Sequence, residues 1–136
     1  MGFEIYLQCF AGEPRGISRA AVRALFPIDE QSTEPDDWSV CYDRANSCRI
    51  RITPVHSNNG RITALCVYRP CGDIRFWDSI LSILRMGPVM LYWPGGGPLI
   101  ANQLAADALP QELVDWLGQA RCVQSAQQIM EAIHAS

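Results

Sequence analysis

Residues 48–53 (CRIRIT) and 61–69 (RITALCVYR) decide the fold. In the first, Cys48, Ile50 and Ile52 alternate with Arg49, Arg51 and Thr53, the period-two pattern of a strand with one apolar face and one wet face. In the second, Ile62, Ala64, Cys66 and Tyr68 form one line, and Leu65 and Val67 cover the opposite face, which predicts a central strand. Residues 54–60, with Pro54, Asn58, Asn59 and Gly60, supply the turn between them. Upstream, residues 38–43 read as the partner arm of a hairpin centred on Ala45 and Asn46. Three successive strands with short links pair antiparallel, so this stretch is a meander. Neither a two- nor a three-residue loop sets Cys41 against Cys48, so no disulfide is expected there.

Working outward, residues 3–10 read as a first strand with Phe3, Ile5, Leu7 and Cys9 on one face and Glu4, Tyr6 and Gln8 on the other. Ser18 N-caps a short helix with Ala21, Val22, Leu25 and Phe26 on its apolar side, and Pro27 ends it. The strongest helix pattern starts at the N-cap Asp73. Its stripe is Phe76, Trp77, Ile80, Leu81, Ile83 and Leu84, closed by Gly87 and Pro88. Residues 89–93 are apolar on both faces, as in a buried strand. Residues 99–101 read as a short edge strand, and residues 109–117 as a helix with Pro110 in its first turn and Gly118 at its end. Residues 122–124 read as a last strand. Ser125 with Gln128 is a capping box for a final helix burying Ile129, Met130 and Ile133.

The expected architecture is therefore α+β (mixed α/β): one domain over residues 1–136, with a single mixed or mainly antiparallel sheet of about five strands and helices packed against it. A chain of 136 residues buries roughly two thirds of its unfolded surface, enough for a core without staples.

Composition excludes several functions. Net charge is -3 and no Arg stripe is present, so nucleic acid is not an expected partner. The longest apolar run, residues 88–94, falls well short of the ~20 residues that span a bilayer, so no membrane role is expected. Glu4 stands where an export signal has its apolar run, which makes a cytoplasmic location the expectation. The 6 Cys are expected as thiols, and their spacing, with His56 and His134, does not fit structural zinc. No metal site, cofactor site or catalytic residue is predicted. No Ser sits in a Gly-x-Ser-x-Gly elbow, and His56 and His134 lie in a polar turn and near the terminus.

Two stretches remain as candidate sites. The acidic cluster Asp29, Glu30, Glu34, Asp36 and Asp37, bordered by Trp38, reads either as a solvated loop or as an electrostatic docking edge for another, basic protein. Tyr92 and Trp93 run into Gly95, Gly96 and Gly97, which reads as a plain turn, or else as the wall of a small-molecule pocket. A phosphate cradle would need a helix after the glycines, and Pro98-Leu99-Ile100 is extended. A third possibility is a homodimer formed by an edge strand pairing with its copy.

Three segments carry a resemblance: Gly2-Phe3-Glu4-Ile5-Tyr6-Leu7, the block Arg69-Pro70-Cys71-Gly72-Asp73 with Phe76-Trp77, and Leu91-Tyr92-Trp93-Pro94-Gly95. Together they resemble small bacterial protein families of unknown function. More broadly the chain is similar to the acidic, single-domain immunity proteins made against polymorphic or contact-delivered toxins. That resemblance implies a non-enzymatic protein-binding module and assigns no residue a role. The alternative is a small-molecule binder or minor enzyme using residues 92–97.

Overall fold

The computed structural model describes residues 3–10, 16–29, 34–56 and 58–135, with backbone only at 58 and 59. The described elements are β1 (Glu4–Cys9), β2 (Ile17–Ser18), α1 (Arg19–Arg23), β3 (Asp37–Asp43), β4 (Asn46–Val55), β5 (Asn58–Tyr68), α2 (Ile74–Leu84), β6 (Val89–Trp93), β7 (Gly96–Ile100), α3 (Gln103–Ala108), α4 (Gln111–Leu117), β8 (Arg121–Cys122) and α5 (Ala126–His134). The strands form one open sheet in the order β3-β4-β5-β1-β6-β7-β8, with β2 beside β5. All pairs are antiparallel except β7 with β8.

The architecture is the expected mixed α/β, with a sheet of 8 strands rather than about five. Of the strands beyond five, β2 has 2 residues, too few to show a period, while β7 and β8 overlap the short strands expected at 99–101 and 122–124 but start earlier, β7 opening on Gly-Gly-Pro. Nor is β7 an edge strand, since it lies between β6 and β8.

The meander forms with two adjustments. The β3–β4 turn is centred on Arg44 and Ala45, one position earlier than expected. The Asp43 carboxylate accepts from the Ala45 and Asn46 N–H groups at 2.9 and 3.0 Å, drawing Asn46 into the strand. In β5 the register steps from Thr53↔Ala64 to Pro54↔Ile62, leaving a bulge at Thr63. Ile62 thereby joins Leu65 and Val67 in the core, while Ala64, Cys66 and Tyr68 face the other way, so the single line expected for Ile62 to Tyr68 is broken.

One face of the sheet carries the main core. Ile5, Leu7, Trp38, Val40, Ile50, Ile52, Val67, Leu91 and Leu99 meet α2, whose Phe76, Ile80, Ile83 and Leu84 are fully buried, and α5, which contributes Ile129. Phe76 sits edge-on to Trp77 at 5.0 Å, and the Trp77 indole N–H donates to the Cys71 carbonyl at 2.9 Å. On the opposite face a smaller cluster of Met90, Ile100 and Ala105 lies under α3 and α4. No described helix is long and apolar enough to cross a membrane.

Candidate functional site

The glycine-rich segment is a hairpin turn. Trp93 pairs with Gly96, leaving Pro94 and Gly95 as a two-residue turn, and Gly95 has φ +88. A Cβ on Gly96 would sit 2.3 Å from the Trp93 indole nitrogen, so this residue is glycine to admit the ring. Trp93 is thus buried, while Tyr92 points to the opposite face and stacks on Tyr6 at 5.2 Å. The two aromatics predicted to share a pocket wall are on different sides of the sheet. A depression of about 220 Å³ does lie beside the hairpin, among Trp93, Gly95, Gly96, Gly97, Arg121 and the end of α5. That is below the usual ~300–1,000 Å³ of ligand pockets.

The acidic cluster is drawn into the fold's own ion pairs. Asp36 meets Arg19 at 3.0 Å, and Asp37 meets Arg49 at 2.7 Å and Arg51 at 3.8 Å. Asp29 and Glu34 are exposed, and Glu30 lies outside the described residues. Trp38 is only 3% exposed, because β3 alternation turns it with Val40 into the core, so the docking role expected of its ring is not available at the surface.

The cysteines are free thiols. Cys41 is exposed and Cys48 buried, on opposite faces of the hairpin. Burial raises Cys9, Cys66 and Cys71, and pushes Cys48 up to about 12. This is the reverse of the lowered pKa that makes a thiol nucleophilic. His56 and His134 are both exposed, the first just after β4 and the second at the end of α5. No group of three or more His, Cys, Asp or Glu among the described residues is arranged to hold a metal ion.

What the structure does bring together is a lattice of side chains on the half of the second face that α3 and α4 leave uncovered. Register places Asp37, Arg51, Cys66, Tyr6 and Tyr92 in one row across β3, β4, β5, β1 and β6. The neighbouring row is Ser39, Arg49, Tyr68 and Glu4. The Arg49 and Arg51 side chains are 64% and 63% exposed. Tyr6 donates a short hydrogen bond to Glu4, which pushes its pKa up to about 12. A groove of about 560 Å³ runs over this area, lined by Asp37, Ser39, Ser47, Arg49, Arg51 and Arg69 among others. The wet alternation of Arg49, Arg51 and Thr53 was the signal for it in the sequence. A single strand does not tell whether its wet face is bare or roofed by a distant helix.

A second exposed feature had no signal of its own. Leu104 and Trp116, on α3 and α4, are 65% and 78% exposed. Ala105 of α3 and Leu113 and Leu117 of α4 pack with Met90 of β6 and Ile100 of β7, which turns Leu104 and Trp116 outward.

Fold and surface together define a mixed α/β protein with an open, half-roofed sheet and a polar, arginine- and tyrosine-bearing face. No protein family, curated protein or solved structure matches the chain.

Proposed function

We propose that the chain is a non-enzymatic protein-binding module that docks through the uncovered half of its sheet. The observation that carries this reading is the juxtaposition of Tyr6, Tyr68, Arg49 and Arg51 on a face that no described helix covers. Tyr and Arg are the residue types that dominate the energetics of protein interfaces, and a sheet presents them without the ordering cost of a loop. The acidic stretch becomes part of the frame: Asp37 fixes the two arginines from the side. Toxin immunity is the form of binding that the sequence resemblance favours.

The test is differential capture from a lysate of the source cell at low and high salt. The wild-type chain and a Glu34→Arg/Asp36→Arg variant are expected to retain the same protein. Arg49→Glu/Arg51→Glu is expected to lose it. Retention by the arginine variant with loss by the acidic-loop variant places the docking surface on the loop and contradicts the proposal.

A further inference from the structure

Trp116 and Leu104 are the most exposed large apolar side chains among the described residues, whereas Trp38, Trp77 and Trp93 are all buried. No residue of α4 is buried, and its inner side reaches the sheet only through the partly buried Leu113 and Leu117. The Trp116 ring and its indole N–H are joined to no partner among the described residues. An unpaired tryptophan at the surface is the side chain with the most to gain from a partner.

The charge around these two residues has one sign. Residues 99–120 carry Asp107, Glu112 and Asp115 and no basic residue, and all three carboxylates are exposed. Glu112 stands four residues before Trp116 and three before Asp115, so it borders both on the helix surface, and Asp107 stands three residues after Leu104. Asp107 and Asp115 accept from the neutral Gln103 and Gln111 amides at 2.9 and 2.8 Å, which leaves their charge uncompensated. Both lie in the last turn of their helices, the end that disfavours negative charge, and neither turn holds a basic residue. Capping therefore does not explain them, and an external cation would relieve them.

The chain shows the completed form of this arrangement elsewhere. The Arg75 guanidinium lies over the Tyr42 ring at 4.9 Å while Asp73 holds it at 2.6 Å. Trp116 with Glu112 and Asp115 is the same pairing of ring and carboxylate without the cation. A second copy of this face, or an anionic bilayer, would bring negative charge against negative charge.

We propose that the outer side of α4 and the end of α3 form a second interaction surface, which takes an arginine-bearing apolar segment of a partner protein, with a guanidinium stacked on Trp116 beside Glu112 and Asp115 and an apolar side chain against Leu104. Arginine fits better than lysine because its planar fork stacks on a ring and pairs with carboxylates at once. This surface belongs to the helices over β6 and β7, apart from the Arg49 and Arg51 face, and neither reading needs the other.

The probe is a blocked peptide of alternating arginine and leucine, titrated into isotope-labelled full-length protein, with its glutamine/leucine counterpart run beside it. NMR follows the backbone amides and the four tryptophan indole N–H resonances. Saturable shifts are expected at the Trp116 indole and the amides of α4, with those of Trp38, Trp77 and Trp93 unmoved as the check on folding. Trp116→Ala is expected to weaken binding about tenfold. Glu112→Gln/Asp115→Asn is expected to weaken it several-fold and to flatten its salt dependence, and Arg49→Gln/Arg51→Gln to leave it unchanged. Shifts spread equally over the exposed Glu34, Asp78 and Glu131 overturn the proposal, as does equal binding of the glutamine peptide or weakening by the Arg49 and Arg51 variant in a folded chain. A dimer in sedimentation that Trp116→Ala abolishes gives the surface to a second copy, and binding to phosphatidylglycerol vesicles through Trp116 gives it to a membrane; either overturns the proposal. Loss of peptide binding in Trp116→Ala leaves the sheet-face partner captured, so the two readings fail separately.

Discussion

Gly95 and Gly96 are neighbours that lack a side chain for different reasons, and the difference is measurable. At Gly95 the backbone is left-handed, at φ +88, with nothing within 4 Å of a Cβ. Gly95→Ala is therefore expected to cost about 1 kcal/mol, from conformation alone. At Gly96 a methyl would collide with the Trp93 ring, so Gly96→Ala is expected to cost more, about 1–3 kcal/mol, with altered tryptophan fluorescence. Chemical denaturation with a fluorescence readout checks both. Cys48 gives a pH dependence: burial raises its thiol from 9.0 to about 12. The folded state favours the neutral thiol, so this contribution is complete below pH 9 and is lost as pH climbs toward about 12. Denaturation at rising alkaline pH is expected to show a steeper loss of stability in the wild type than in Cys48→Ala. Trp38 shows what is legible at this scale. Its acidic neighbours argue for the surface, but the Trp38, Val40 alternation was in the sequence and fixes it in the core.

Asn102 joins two helices. Its Nδ2 donates to the Leu84 and Gly87 carbonyls at 3.2 and 2.9 Å, closing the end of α2, and its Oδ1 accepts from the Ala105 N–H at 2.8 Å, capping α3. Asn102→Ala is expected to cost about 1–2 kcal/mol by the usual worth of such caps. Asn102→Asp keeps the acceptor alone and is expected to recover only part, read by thermal unfolding. The elements that sequence revealed are those with their own period or cap: β1, the meander, α2, β6, and α5 with Ser125 accepting from the Gln128 N–H at 3.2 Å. The Gln128 side chain closes this box one residue earlier than the usual pattern, accepting from the Gln124 N–H. Elements without a period were missed or misplaced. Strands β2 and β8 exist through their neighbours, α3 has 6 residues rich in Ala, and the β5 bulge appears only when β4 fixes the register.

At the scale of the whole molecule, the distribution of cover is what gives the surface its meaning. Helices α2 and α5 roof one face of the sheet, and α3 and α4 roof only the part of the other over β6 and β7. The outer edge of β3 is met by residues 27–29, where Cys41 donates to the Pro27 carbonyl and Asp29 to the Ser39 carbonyl. The other edge, β8, has 2 residues. Pairing with a copy through either edge thus has little backbone to use, and side chains on the open face are the larger resource. None of this cover was readable from local patterns, because it depends on which helix crosses which strands. The most direct measurement is the affinity of the captured partner, by calorimetry, for single alanine variants of the purified chain. Arg51→Ala and Tyr68→Ala are each expected to weaken binding by about 2 kcal/mol, as central interface residues do, with Leu104→Ala and Trp116→Ala near neutral. Unchanged affinity at Arg51 and Tyr68, with a loss at Leu104 and Trp116, would contradict the account and move the docking surface to α3 and α4.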